Sequence, residues 1–190
     1  MEVNPVLVKI LAFDPGTANL GYAPLYCNTA TSEARIREYY GVFKTSKRTR
    51  TEEEVSIRER IDALGNNVSA LIRAVNPDFI AMEDFVEQGK FVGKIYKEMS
   101  YLTEHLRLVC RKMGYEVTIY PNGVWKKKTL NATNASKLQV QHYINRKVLG
   151  AELLLKEPDH VWDSVGIAYC RWLDCLKEIE KGRGGALRVK

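Results

Sequence analysis

Three carboxylates and one histidine are spaced so that together they could bind divalent metal ions. Asp14 and Glu83 each end an apolar strand pattern, whereas His160 and Asp163 stand three residues apart at the start of a helical pattern. Adjacent parallel strands lie about 4.8 Å apart and end at the same edge of a sheet, so the first two carboxylates could share one cation. Residues at i and i+3 share one face of a helix, which allows the other two side chains to join them.

A site of this composition fits phosphodiester hydrolysis. Two divalent ions about 3.5–4 Å apart can activate a water molecule and stabilise the leaving oxygen. Carboxylates are hard oxygen ligands and suit Mg²⁺, with Mn²⁺ as the expected substitute, whereas the imidazole of His160 shifts the preference toward Mn²⁺. We therefore expect two Mg²⁺ ions, held by Asp14, Glu83, His160 and Asp163.

Each of these residues, taken singly, also has a simpler explanation. Asp14 precedes Pro-Gly and could form a turn, Glu83 could begin a loop, and Asp163 could be a solvated helix carboxylate. A lone histidine is more often a surface or core residue than a ligand. Asp159 follows Pro158 and is better explained as a helix N-cap than as a metal ligand. Only the combination indicates chemistry.

The elements that must position these residues follow the order β-β-β-α-β-α-β-α-α. The apolar patterns predict strands over residues 7–13, 21–26, 35–43, 78–82 and 116–120, and helices over residues 52–75, 95–113, 135–149 and 159–181. Three antiparallel strands followed by parallel additions make a mixed five-stranded sheet flanked by helices, an α/β fold. We expect one domain over residues 1–181 and a basic, flexible tail over residues 182–190.

The composition argues against a membrane-spanning, zinc-stabilised or disulfide-linked protein. The chain has 190 residues, 45% of them hydrophobic, and a net charge of +6. This balance is typical of one folded domain, and the basic excess favours a polyanionic partner. No apolar run reaches the roughly 20 residues needed to span a bilayer, so no membrane association is expected. Four cysteines without paired spacing argue against structural zinc and disulfides, which favours a cytoplasmic location.

Three segments together resemble the RuvC family of Holliday-junction resolvases, which have an RNase H-like fold. They are FDPGTANLGYA at 13–23, AMED at 81–84 and HVWDSVGIA at 160–168, and the resemblance covers about residues 7–172. It implies that Asp14, Glu83 and Asp163 bind metal. His160 stands where many members have aspartate and some have histidine, which points to a phage or thermophile-type member. The implied activity is paired, symmetric nicking of four-way DNA junctions that leaves 5′-phosphate and 3′-hydroxyl ends.

The same resemblance assigns DNA-binding residues. Lys126 and Lys137 match catalytic-site lysines that contact scissile-strand phosphates, and Lys127 and Lys128 are their neighbours; a solvated basic loop is the simpler alternative. A second basic loop predicts contacts to the DNA arms through Lys44, Lys47, Arg48 and Arg50.

An aromatic residue soon after the second acidic residue wedges into the junction in this family. The candidates here are Phe85 and Phe91, although a direct count places Val86 at that position, and a helix-packing phenylalanine fits equally well.

The expected partner is branched DNA, specifically a four-way junction. Such a junction has two equivalent strands to cut, which together with the resemblance predicts a homodimer, with its interface on the apolar face of residues 95–108. A helicase or branch-migration partner cannot be identified from the sequence.

Other functions stay open at this point. The strongest alternative is a looser branched-DNA or flap endonuclease of the same fold, followed by an RNase H acting on RNA–DNA hybrids and a non-catalytic DNA-binding scaffold. Actin-like ATPases and sugar kinases share the first motif, but they need a second lobe for the nucleotide.

Overall fold

The structure is a computed structural model that describes residues 6–46, 55–84 and 93–183. Its strands are β1 (Leu7–Asp14), β2 (Asn19–Asn28), β3 (Ala34–Arg35), β4 (Gly41–Lys44), β5 (Phe79–Asp84), β6 (Val117–Pro121) and β7 (Val148–Leu149). Its α-helices are α1 (Ile57–Val75), α2 (Lys94–Lys112), α3 (Asn122–Leu130), α4 (Lys137–Lys147) and α5 (Asp159–Glu178). A short 3₁₀-helix spans Ala151–Leu154, and a π-helical turn, Ile179–Arg183, follows α5.

The strands form one mixed sheet in the order β6-β5-β1-β2-β3-β7, with β4 also paired to β2. Strand β1 pairs antiparallel with β2 and parallel with β5, which in turn pairs parallel with β6. The predicted meander with parallel additions is therefore confirmed. The described sheet has seven strands where five were expected, because the third strand is split and a short strand is added at the edge.

The split separates β3 from β4. Both pair antiparallel with β2, but β2 advances four residues between Tyr22 and Tyr26 while its partner advances six between Arg35 and Gly41. Tyr39 absorbs part of the excess with a left-handed backbone, φ 61°. The alternating pattern over residues 35–43 could not reveal this interruption, because the extra residues lie within a run of strand-forming residues.

The sheet edge also corrects a predicted helix. The helical pattern over 135–149 was too long: α4 ends at Lys147, and Val148–Leu149 form β7, parallel to β3. Gly150, with φ +82°, turns the chain beside β3, where a Cβ atom would lie 2.6 Å from the carbonyl oxygen of Ile36. Glycine alone adopts this conformation at little cost.

The segment after β6 was expected to be a turn followed by a basic loop, and it is helix α3 instead. Pro and Gly signal turns, yet here Pro121 caps the helix and Gly123 lies in its first turn, where backbone N–H groups lack partners in any case. Trp125 is fully buried, and the hydroxyl of Thr129 donates to the carbonyl oxygen of Trp125. Burial of the indole against α5 favours the helix here.

Two layers of helices cover the sheet, because alternate residues of a strand face opposite sides. Leu11 and Phe13 of β1 face the layer that contains α1 and α2, whereas Ile10 and Ala12 face the layer that contains α3, α4 and α5. Helices α1 and α4 each begin with a capping box, Ser56 with Glu59 and Ser136 with Gln139.

Helix α2 belongs largely to the core of this chain. Its apolar residues Leu102, Leu106 and Cys110 are buried with α1, whereas Tyr101 and Leu108 are exposed. Part of the apolar face between 95 and 108 is thus buried within this chain, and the dimer interface expected on this helix stays a prediction.

No described helix is long and apolar enough to cross a membrane. The four cysteines are buried and free. The C-terminal helix ends at Glu178, and the turn after it contains Gly182 at φ 69°, whereas residues 184–190 of the predicted tail lie outside the described part. The single domain over 1–181 and the flexible tail stay predictions.

Candidate active site

Asp14 and Glu83 lie side by side at one edge of the sheet. Strands β1 and β5 are parallel neighbours in which Phe13 pairs with Met82, so the next residue on each strand is a carboxylate. Both carboxylates are half-buried, and they line a small depression with Pro15, Asp84 and Met99. This arrangement is the one expected from the strand patterns.

The start of α5 reaches the same edge because of a glycine in β2. Gly21 pairs with Asp14, and a Cβ atom on it would lie 2.2 Å from the carbonyl oxygen of His160. Any side chain there would push α5 away. Because glycine lets α5 come this close to β2, Nδ1 of His160 lies 2.6 Å from Oδ2 of Asp14.

Asp163 follows His160 by three residues on α5, so the two share one face of the helix. Burial, followed by the nearby negative charge of Asp14, raises the pKa of Asp163 to about 7, while Lys126 opposes the shift. Burial and the charge of Asp14 also raise the pKa of Glu83, and the hydrogen bond with Asp14 raises the pKa of His160. The carboxylates are thus close enough to destabilise one another's ionised forms.

Two donors from α3 hold Glu83. Nδ2 of Asn122 donates to Oε1 over 2.7 Å, and Nε1 of Trp125 donates to Oε2 over 2.9 Å. Neither residue was assigned a role from the sequence, where Asn122 was only part of a turn signal. Their spacing of three residues would have placed both on one face of a helix, but only if α3 had been predicted.

The chemistry of these side chains fits a divalent cation. Three half-buried carboxylates repel one another, and hard oxygen donors beside an imidazole suit Mg²⁺ or Mn²⁺. Within residues 6–46, 55–84 and 93–183, however, no three His, Cys, Asp or Glu side chains are grouped closely enough to hold one ion as they stand. The contacts of Glu83 with α3 and of Asp14 with His160 occupy part of the donor set, and the four-ligand site stays a prediction.

The two predicted phosphate lysines both act electrostatically on this group. Lys137, at the start of α4, is exposed and donates to Oδ2 of Asp159 over 2.5 Å, while Gln141 donates to Oδ1 over 3.3 Å. The bond to Asp159 raises the pKa of Lys137. Asp159 was expected to be the N-cap of α5, but Pro158 holds that position and Asp159 is the first helical residue, so this expectation was wrong.

The three consecutive lysines on α3 differ in their surroundings. Nζ of Lys126 lies 5.3 Å from the ring centre of Trp125, and its charge lowers the pKa of Asp163. Lys127 is exposed. Lys128, a predicted DNA contact, donates to Oδ1 of Asp174. Successive helical residues point about 100° apart, which explains the three environments.

The second predicted basic loop is described only at its start. Lys44 is exposed at the end of β4. Lys47, Arg48, Arg50, Phe85 and Phe91 lie outside the described residues.

Comparisons with known proteins identify relatives over nearly the whole chain. No protein-family model matches it. A crossover junction endodeoxyribonuclease RuvC from Dictyoglomus thermophilum is 29% identical over 177 residues, which cover 92% of this chain and 98% of the relative.

Solved structures share the fold. The RuvC of Thermus thermophilus, also solved in complex with a Holliday junction substrate, superimposes with a TM-score of 0.68 at 18% identity, over 93% of this chain and 98% of that one. The yeast mitochondrial Holliday junction resolvase Ydc2 gives 0.65 at 18% identity, over 94% and 84%. A fowlpox virus resolvase in complex with Holliday junction DNA gives 0.54 at 14% identity, over 89% and 99%. The predicted RNase H-like fold is confirmed.

Proposed function

We infer that this RuvC-like chain is a crossover junction endodeoxyribonuclease, which resolves four-way DNA junctions by hydrolysing phosphodiester bonds. The observation that carries this inference is the contact of His160 with Asp14 where α5 begins, beside Glu83 at the neighbouring end of β5. The relative from D. thermophilum supports it, because the likeness spans almost the full length of both chains.

Divalent metal ions would supply the activated water and stabilise the leaving oxygen. The carboxylates of Asp14, Glu83 and Asp163 would hold them, with Mg²⁺ as the proposed ion and Mn²⁺ as its substitute. Nδ1 of His160 is engaged with Asp14, so His160 becomes a ligand only when that contact opens or when its other ring nitrogen faces the ion.

Lys126 and Lys137 would bind the phosphates of the strand to be cut. Lys126 lies close enough to the carboxylates to influence the pKa of Asp163. Lys137 is exposed and held beside the site by Asp159, and this salt bridge between exposed groups costs little to exchange for a phosphate. Lysine acts on phosphate as a point charge and reads no sequence, which suits a substrate defined by its branched shape.

A two-fold homodimer is the proposed assembly, because the two equivalent strands of a junction then meet two equivalent sites. Tyr101 and Leu108 are exposed apolar residues of α2 that a second copy could cover. A cytoplasmic location agrees with four free, buried cysteines.

A substrate panel tests the proposal. The protein is incubated with a four-way junction, a flap, a linear duplex and an RNA–DNA hybrid, with Mg²⁺, with Mn²⁺ and with EDTA. We expect paired, symmetric nicks in the junction alone, with 5′-phosphate and 3′-hydroxyl ends, only when metal is present. Preferential cutting of the flap or of the hybrid would replace junction resolution by the corresponding activity, and ATP hydrolysis without DNA cleavage would refute a nuclease function.

A further inference from the structure

We propose that Asn122 and Trp125 are positioning residues that fix the Glu83 carboxylate for metal binding, an inference that rests on the proposed function. Their side chains donate to different oxygens of Glu83, over 2.7 Å from Asn122 and 2.9 Å from Trp125. A carboxylate oxygen has two acceptor positions, so each oxygen of Glu83 keeps one position for a cation. The two bonds therefore orient the carboxylate without using up its capacity as a ligand.

Helix α3, which carries both donors, is held against α5 by the indole of Trp125. Trp125 is fully buried, and its ring packs on Gly166 so closely that a Cβ atom there would lie 2.6 Å from the ring. The indole is thus packed in one position against α5, the helix that carries Asp163. Its N–H group points to the carboxylate of Glu83.

A second contact fixes both ends of α3. Tyr120, just before the helix, donates to Oδ2 of Asp174 over 2.5 Å, and Lys128, near its end, donates to Oδ1 of the same carboxylate. Asp174 belongs to α5, so α3 is joined to α5 at both ends as well as through Trp125. The donors to Glu83 are consequently parts of a rigid unit.

This rigidity matters because glutamate is flexible. A free Glu side chain has several rotamers, and a metal ion that must order it loses affinity. Hydrogen-bond partners of metal ligands remove that cost, and their loss typically weakens metal binding or activity by 10–100-fold. The alternative is purely structural: a buried indole N–H needs an acceptor, and Glu83 provides one.

Three variants separate these roles. Trp125→Phe keeps an aromatic ring against Gly166 but removes the N–H, and Asn122→Leu keeps the volume but removes the amide. Trp172→Phe is the matched control, because Trp172 is also fully buried and its N–H, which donates to the carbonyl oxygen of Ser32 over 3.4 Å, is not bonded to Glu83. Mn²⁺ affinity is measured by electron paramagnetic resonance on the full chain without DNA, followed by kcat and KM on a four-way junction.

We expect the Kd for Mn²⁺ to rise about tenfold in Trp125→Phe and in Asn122→Leu, and to stay within about twofold in Trp172→Phe. In the two site variants kcat should fall at limiting Mn²⁺ and recover at high Mn²⁺, while KM for the junction stays unchanged. Wild-type Mn²⁺ affinity in both site variants would overturn the proposal, as would an equal loss in Trp172→Phe.

A spectroscopic measurement tests the contact without altering either donor. In ¹⁵N-labelled protein, Glu83→Ala should move the indole signal of Trp125 and speed its hydrogen exchange, while the signal of Trp172 stays in place. An unmoved Trp125 signal would refute the hydrogen bond. If the wild type binds Mn²⁺ but does not cut junctions, the proposed function fails while the positioning role stands; if it cuts junctions and the variants bind Mn²⁺ normally, the positioning role alone fails.

Discussion

Helix α5 carries two aspartates whose surroundings are opposite. Asp174 accepts hydrogen bonds from Lys128 and Tyr120, and these bonds lower its pKa although burial acts to raise it. No hydrogen bond from another side chain of the described residues reaches Asp163, and burial together with the charge of Asp14 raises its pKa to about 7. One carboxylate is paired with a lysine and a tyrosine, and the other lies beside further acidic groups whose charges outweigh the opposing charge of Lys126. A buried carboxylate of the second kind indicates a functional site.

The largest expected difference between the two is in catalysis. Asp163→Asn should slow junction cleavage by roughly 1,000-fold or more, equivalent to about 4 kcal/mol, because a metal ligand is lost. Asp14→Asn and Glu83→Gln should behave alike. Junction binding in a gel-shift assay should stay near that of the wild type, since phosphate contacts supply the affinity.

The matched control is Asp174→Asn, the same substitution on the same helix. We expect it to cut at more than a tenth of the wild-type rate. Equal losses in both variants would remove the distinction between the two aspartates, and wild-type cleavage by Asp163→Asn would exclude that residue from the site.

The second expected difference between Asp163 and Asp174 is in how the free energy of unfolding depends on pH when no metal is present. Asp163 has a higher pKa in the folded protein than in the unfolded chain, so the folded state binds more protons between about pH 4 and pH 7 and loses stability as the pH rises through that range. Asp163→Asn should therefore be more stable than the wild type at pH 8, by up to about 4 kcal/mol, in urea unfolding with EDTA. Mn²⁺ should stabilise the wild type and not the variant. A less stable variant at pH 8 would contradict the raised pKa.

Asp174 should show the opposite dependence. Its pKa is lowered in the folded protein, so its contribution to stability is present above the pKa of the unfolded chain and is lost as the pH falls through the folded value. Asp174→Asn should lower the free energy of unfolding at pH 7 by about 1–2 kcal/mol, since it breaks a half-buried ion pair. The loss should shrink toward pH 3. Unchanged stability at pH 7 would mean that Asp174 does not brace α3.

The smallest expected effect concerns His160. Its contact with Asp14 raises its pKa, so protons compete with metal for the ring as the pH falls from 8 to 6. Wild-type cleavage should decline over this range about two- to fivefold more than that of His160→Asp, and should favour Mn²⁺ at limiting metal. The aspartate variant should gain Mg²⁺ activity. If His160→Ala cuts like the wild type with both metals at every pH, the histidine is not a ligand.

Much of this protein could be predicted from local patterns. Short apolar runs located β1 and β5, and the acidic residue that ends each run placed Asp14 and Glu83 at one edge of the sheet. The i, i+3 spacing likewise put His160 and Asp163 on one face of α5. These inferences succeed because burial, strand direction and helical phase are encoded by neighbouring residues.

Only the tertiary structure decided which polar side chains meet. Glu83 accepts hydrogen bonds from Asn122 and Trp125. Asp174 accepts them from Tyr120 and Lys128, and Asp159 from Lys137. Each pair joins different elements, and most are separated by dozens of residues. Lys126 and Lys128 look equivalent in the sequence, yet the phase of α3 separates them into a residue beside the site and a residue that braces the fold. Local composition carries no record of such pairings, because the packing of distant elements determines which donor reaches which carboxylate.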